Sequence, residues 1–240
     1  MESLRTLDQI YTDQALTDSL ERYERKWVLG HLSSATGKAL VQSLPLVVSE
    51  TYPHREVHSL YFDTEDFLCY QLHESGSKNR YKIRIRWYGD LLSSSIEARL
   101  EIKIRHDRIV KKLTYALGTL DMYSLLENNC SIAFTRDLPS DVSELCRNLK
   151  PKVFTSYSRR YFATYGDKVR VTFDSDLCFY KFSNGQPIST NGMTIAPISI
   201  IELKYPSLLN SELSAFLPSF PGAQTRNSKY TTAVNSIYNL

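Results

Sequence analysis

Between Arg80 and Tyr88 the chain reads RYKIRIRWY, with Arg80, Lys82, Arg84 and Arg86 at alternate positions and Tyr81, Ile83, Ile85 and Trp87 between them. Successive side chains of a β-strand point to opposite faces, so a period of two marks a strand. This one has a wholly cationic face and a wholly apolar face. The alternation returns along the chain. Glu97, Arg99, Glu101, Lys103 and Arg105 oppose Ala98, Leu100, Ile102 and Ile104, while Lys168, Arg170, Thr172, Asp174 and Asp176 oppose Val169, Val171 and Phe173. Glu202 and Lys204 alternate with Ile201, Leu203 and Tyr205, and Glu24 and Lys26 with Arg25 and Trp27. One such strand describes a sheet with a solvated face. Cations on adjacent strands, however, sit about 5 Å apart and repel by roughly 3 kcal/mol per pair at an effective dielectric of about 20. Such rows persist where carboxylates interleave or an anion fills the space. Glu24, Glu101 and Glu202 compensate only part of the surplus.

If the sheet closes on itself, about eight strands leave a lumen wide enough for one small ligand. The expected fold class is therefore α+β: a closed, mostly antiparallel eight-stranded β-tunnel, charged inside, with helices packed outside over its apolar faces. A linear polyanion suits such a lumen, because guanidinium groups grip phosphate oxygens in pairs and ammonium groups act as point charges. The formal net charge is only +3, so placement rather than the total selects the ligand.

Strands are expected over 22–29, 56–62, 80–88, 97–105, 109–116, 152–164, 168–182 and 195–205, and helices over 34–44, 119–128, 139–149, 209–217 and 228–238. Residues 1–21 read as a polar lead-in helix and 22–240 as one domain, long enough to bury a core without staples. Cys69, Cys130, Cys146 and Cys178 are far apart, lack CxxC spacing and read as reduced and mostly buried. The N-terminal MESLRTLDQIYTDQ carries acids and no apolar core, unlike a signal peptide. No run of about twenty apolar residues occurs, so a soluble cytoplasmic protein without a transmembrane segment is expected. His31, His54, His58, His73 and His106 lie off the charged faces, His106 at a strand end, and form no Ser/His/Asp or Cys/His constellation.

Eight segments carry a resemblance: Tyr23-Glu24-Arg25-Lys26-Trp27-Val28, Leu60-Tyr61-Phe62-Asp63-Thr64, Lys82-Ile83-Arg84-Ile85-Arg86-Trp87-Tyr88-Gly89, Glu101-Ile102-Lys103, Tyr157-Ser158-Arg159, Val169-Arg170-Val171-Thr172-Phe173-Asp174, Ile201-Glu202-Leu203-Lys204-Tyr205 and Ser228-Lys229-Tyr230. In that order they resemble the VTC domain, the polyphosphate polymerase module of the vacuolar transporter chaperone complex. That family falls among the triphosphate tunnel metalloenzymes, with the CYTH proteins. The resemblance spans 22–238 and takes in neither the SPX sensor domain nor the membrane segments of the fungal complex. It implies that Lys26, Arg84, Arg86, Lys103, Arg159 and Arg170 line the tunnel, hold phosphate and act in catalysis. Lys204, Arg226 and Lys229 would add phosphate contacts, the last two near a helix N-terminus, which favours anions. Lys111 and Lys112 are candidates on a neighbouring strand. Glu202 would bind Mn²⁺ or Mg²⁺, with Glu24 and Glu101 as further candidate ligands. CYTH enzymes open with ExExK, and Arg22 stands at the first glutamate position here, which favours the VTC branch.

The implied function is a metal-dependent polyphosphate polymerase that moves the γ-phosphate of ATP onto a growing polyphosphate chain. A triphosphatase would use the same tunnel with water as acceptor, and a non-catalytic module would bind polyphosphate or triphosphate without turnover. Nucleic acid is not an expected partner: Tyr81 and Trp87 face away from the arginines, so bases stacked on them could not share a ligand with those cations. Asp174 and Asp176 are expected to pair with neighbouring cations, a second metal being the alternative.

Overall fold

The computed structural model describes residues 22–107, 109–127, 138–182 and 193–240. In chain order, β1 (Arg22–Gly30), α1 (Ser34–Gln42), β2 (Ser49–Asp63), α2 (Leu68–Glu74), β3 (Arg80–Tyr88), β4 (Ile96–His106) and β5 (Ile109–Leu120) form the first half. Then come α3 (Met122–Glu127), α4 (Ser140–Arg147), β6 (Lys150–Ala163), β7 (Arg170–Lys181), β8 (Met193–Ile195), β9 (Ile198–Pro206), α5 (Asn210–Ser214), β10 (Gln224–Thr225) and α6 (Lys229–Tyr238). The expected lead-in helix over 1–21 and Cys130 lie outside the described residues. Cys69, Cys146 and Cys178 are free thiols. Among the described residues, no helix is long and apolar enough to cross a membrane.

The strands form one ten-stranded antiparallel sheet in the order β10-β1-β9-β7-β6-β2-β3-β4-β5, with β8 added to β7. This corrects the expected closed eight-stranded tunnel. The terminal strands β5 and β10 are not paired with each other, and the short β8 and β10 raise the strand number. Alternation dictates which side of a strand turns inward, but it carries no information about whether the two edges of a sheet meet. The sheet instead bends into a deep trough. Lys103 on β4 donates to Glu24 Oε2 on β1 across 3.2 Å, although many strands separate the two in the sheet order.

β2 begins at Ser49 rather than at the expected 56. Its pairing with β6 shifts register between Glu50 and Tyr52 and again between Tyr52 and Arg55. These bulges flank Pro53, which has no N–H to give a ladder. The helix α2 escaped the sequence reading because it is short and is held from a distance. The buried Asp63 carboxylate accepts the backbone N–H groups of Thr64, Cys69 and Tyr70 at 2.7, 2.8 and 2.9 Å, and the hydroxyl of Tyr230.

The apolar strand faces lie on the convex side. Ile83, Ile85 and Trp87 join Leu100, Ile102 and Ile104 in one cluster with Met122, Leu125, Val142 and Leu145. A second cluster gathers Trp27, Val41, Phe162, Val171, Phe173, Ile201 and Leu203 beneath α1. There Gly37 lets the helix approach closely, because a Cβ at that position would meet the Phe173 ring at 1.9–2.3 Å. Phe173 is only 1% exposed and has nowhere to move. Gly37→Ala is therefore expected to destabilise the fold by about 1–3 kcal/mol, as overpacking of filled cores does, seen as a lower urea midpoint at unchanged slope.

The last helix departs from the expectation that helices pack outside. Tyr61 is the register partner of Arg84 and so shares the concave face. Tyr61 stacks on Tyr230 with ring centroids 5.2 Å apart. Thus α6 lies within the bend of the sheet and brings its N-terminal residues into the trough.

Candidate functional site

β3 and β4 form the most charged wall of the trough. Their register sets Arg80 against Arg105, Lys82 against Lys103 and Arg86 against Arg99, and only Arg84 faces a carboxylate, Glu101. On the next strand Lys112 sits opposite Lys103. Like charges directly opposed across a ladder are destabilising, so this wall is built under repulsion.

Carboxylates hold the cations at three points. Arg84 donates through Nε and Nη2 to Glu101 Oε2 at 2.8 and 2.6 Å, and Lys112 donates to Oε1 at 2.7 Å. Arg86 lies 3.7 Å from the same carboxylate. Burial opposes ionisation of Glu101, yet Arg84, Arg86 and Lys112 hold it well below the usual carboxylate range. On the far wall, Asp174 is fully buried; it accepts from Arg159 Nε and Nη2 at 2.6 and 2.8 Å and from Lys229 at the start of α6. The third point joins the first and last long strands. Lys26 Nζ lies 2.9 Å from Glu24 Oε1 and 3.3 Å from Glu202 Oε2, and Lys204 touches Glu202. Burial and the neighbouring Glu202 raise the Glu24 pKa, but Lys26, Lys204 and Lys103 outweigh them and bring it to about 2.

Two tyrosines brace the arginines. Tyr61 accepts from Arg84 Nη1 at 2.9 Å and Tyr157 from Arg86 Nη2 at 3.2 Å. Lys229 and Arg159 lie over the Tyr157 ring, 4.4 and 5.2 Å from its centroid. Such hydroxyls, which carry no periodic signal, could not be assigned from sequence.

Lys82 is the cation that sequence reasoning placed on the charged face without giving it a role. Its Nζ donates to Ser228 Oγ at 2.7 Å and has no carboxylate within ion-pair distance among the described residues. Burial, then Lys26, Lys103 and Arg84, push its pKa well below that of an ordinary lysine. An anion bound between these groups would favour its charged form.

Of the remaining candidates, Arg170 is exposed at the start of β7, opposite Lys204, with no ion pair among the described residues. Arg226 lies with Lys78, Arg80, Arg105 and Asp107 around a cavity of about 430 Å³ where β3 begins. Arg160 points away from the trough, to Ser34 and Glu50. Asp176 sits 3.2 Å from His31, and His58 Nε2 lies 2.6 Å from the Gly89 carbonyl. Burial, with Lys82 and Arg80, lowers the His73 pKa to about 3.

No group of three or more His, Cys, Asp or Glu side chains gathers among the described residues. The pair best suited to a divalent cation is Glu202 with Glu24, bridged by Lys26. Glu202 Oε1 is buried without an aligned hydrogen bond, although the Lys204 ammonium touches it. Mg²⁺ is commonly held by one or two carboxylates plus phosphate oxygens and water, so this pair fits a hard cation that arrives with its phosphate ligand. Both oxygens of Glu101 are already engaged by cations.

A family model, the VTC domain, matches residues 21–238. Vacuolar transporter chaperone complex subunit 4 of Trypanosoma cruzi is 23% identical over 82% of this chain and 33% of its own length, so the chain spans about a third of that relative. A solved structure of a candidate adenylyl cyclase from Hippeastrum, described as having a dominant triphosphatase activity, is 14% identical with a TM-score of 0.47, covering 89% of this chain and 96% of its own. A candidate adenylate cyclase from Vibrio parahaemolyticus is 11% identical with a TM-score of 0.48, covering 89% and 97%. The family match runs from the first residues of β1 to the end of α6 and takes in every side chain of the trough described above. The chain belongs to the VTC domain family.

Proposed function

We propose that this chain is a polyphosphate polymerase, transferring the γ-phosphate of ATP to the end of a polyphosphate chain lying in the trough. The like-charged rungs between β3 and β4 carry the reading. Side chains that repel one another in the empty trough become mutually favourable around a linear polyanion.

In this reading Arg84, Arg86 and Arg159 grip phosphate oxygens in pairs. Lys26, Lys82, Lys103 and Lys229 neutralise charge between them, and Lys204 and Arg170 flank the entry of the β7–β9 wall. Arg226, with Arg80 and Arg105, holds the chain where it leaves the first phosphates. Glu202, with Glu24 beside it, would hold Mn²⁺ or Mg²⁺, which supplies further charge neutralisation on the phosphate oxygens. A terminal oxygen of the acceptor chain attacks the γ-phosphorus, the bond to the β–γ bridging oxygen breaks, and ADP leaves with the electron pair. The atoms balance without a proton transfer, and positioning and charge supply the rate. The trough carboxylates support this acceptor over water. Glu101 and Asp174 are held ionised in ion pairs and are therefore weak proton acceptors.

Incubation with ATP and Mn²⁺ or Mg²⁺ tests the reaction. Long polymer is the expected product. Orthophosphate alone would make the chain a triphosphatase, and tight binding of polyphosphate without turnover would make it a binding module.

A further inference from the structure

The two ends of the trough are chemically unlike. Where β3 begins, Arg80, Arg105, Arg226 and Lys78 surround the basic cavity. At its other end, about 26 Å away along the strand, the inward face continues into Tyr88. There the Arg55 guanidinium lies 5.1 Å from the ring centroid of Tyr52 and 5.9 Å from those of Tyr88 and Tyr161. Tyr52 meets Tyr161 edge-on, with centroids 5.8 Å apart. The β2 bulges around Tyr52 and Arg55 re-aim these side chains, as bulges beside functional sites do. Tyr52 is 54% and Tyr88 41% exposed, so the rings are open to a ligand. The set is continuous with the phosphate wall, because Arg55 is the register partner of Arg159, itself 5.9 Å from the Tyr161 ring.

Resting on the proposed function, we propose that Tyr52, Tyr88 and Tyr161 with Arg55 form a nucleobase-stacking subsite, which seats the base of a nucleoside triphosphate and directs its phosphates inward. From Tyr88, Arg86 and Arg84 follow at about 7 and 13 Å along β3, so a base on the tyrosines leads its phosphates to those arginines. The polymer then occupies the basic end. Every base has a π-face, and stacking on aromatic rings tolerates any of them, so the subsite prefers nucleotides over inorganic triphosphate without selecting strongly among bases.

The test compares ATP with inorganic triphosphate, which lacks a base, in calorimetric titrations of the whole chain. Replacing both Tyr52 and Tyr88 by Leu is expected to weaken ATP binding about tenfold or more, the scale of base–aromatic stacking, and to leave triphosphate affinity within about twofold. Tyr88→Phe, which keeps the ring, is expected to bind ATP as the wild type does. Both side chains are exposed, and circular dichroism melting confirms that the variants fold; each single replacement is read the same way. An unchanged ATP affinity, or a parallel loss for ATP and triphosphate, overturns the subsite. So does a change of oligomeric state with ATP binding intact, which would make the tyrosine end of the trough a protein contact. A wild-type chain that binds neither ligand refutes the phosphate-transfer reading itself, and the subsite with it.

Discussion

Replacing Arg84 by Ala is expected to lower the rate of phosphate transfer about a thousandfold, the scale seen when one fixed donor to a developing charge is removed. Arg84 is the only inward residue of β3 with a carboxylate directly opposite. Glu101 and Tyr61 hold its guanidinium by Nε, Nη2 and Nη1 together. That leaves a preorganised, rigid fork aimed at the trough rather than a mobile charge. The fold should survive, because Glu101 keeps Lys112 and Arg86 as partners. Arg84→Lys returns the charge without the fork and is expected to fall between the two. Steady-state rates with ATP, alongside far-ultraviolet circular dichroism, check this, and wild-type turnover in Arg84→Ala would remove Arg84 from the machinery.

Asp174→Ala is expected to have the largest effect on stability. Its carboxylate is fully buried and joins β6, β7 and α6 through Arg159 and Lys229. Truncation leaves two largely buried cations facing each other, and breaking a buried pair from one side costs about 3–5 kcal/mol. Urea unfolding at neutral pH measures the deficit. Inorganic triphosphate should recover part of it, since a ligand that binds only the folded chain stabilises by mass action and can sit where the carboxylate was. Burial opposes the charge on Asp174, but Arg159 and Lys229 keep its pKa below the ordinary 3.8. Its contribution is therefore present above that value and is lost as pH falls through the lower, folded pKa. The gap between wild type and variant should close on acidification. A gap that persists unchanged at low pH would show that packing, not charge, carries the loss.

How legible this was depended on the range of the interaction. β3 runs from Arg80 to Tyr88 as its alternation says, and the inward placement of Lys26, Arg84, Arg86, Lys103 and Glu202 follows from the same local rule. Closure was not legible, because it depends on whether β5 and β10 meet, and nothing within either strand encodes that. Nor was the position of α6, which hangs on Tyr230 reaching Asp63 across 167 residues of chain. Arg55 and Tyr52 were missed for another reason: the bulges of β2 break the period of two that would have marked them. Lys82 shows the converse. Its face was plain in the pattern, but its lack of a carboxylate partner among the described residues emerges only when β1, β4 and the Ser228 turn are brought around it.

The unzipped border between the edge strands β5 and β10 bears on how a polymer would get in on the proposed reading. A sealed ring admits a polymer only by its tip, so a long chain would have to be threaded. Here Lys103 and Glu24 span the border as a partly exposed ion pair, 47% and 30% accessible, and such contacts are weak and readily exchanged. On the proposed reading, parting this clasp and the Lys82–Ser228 bond would let a polymer settle in broadside from the middle of its length.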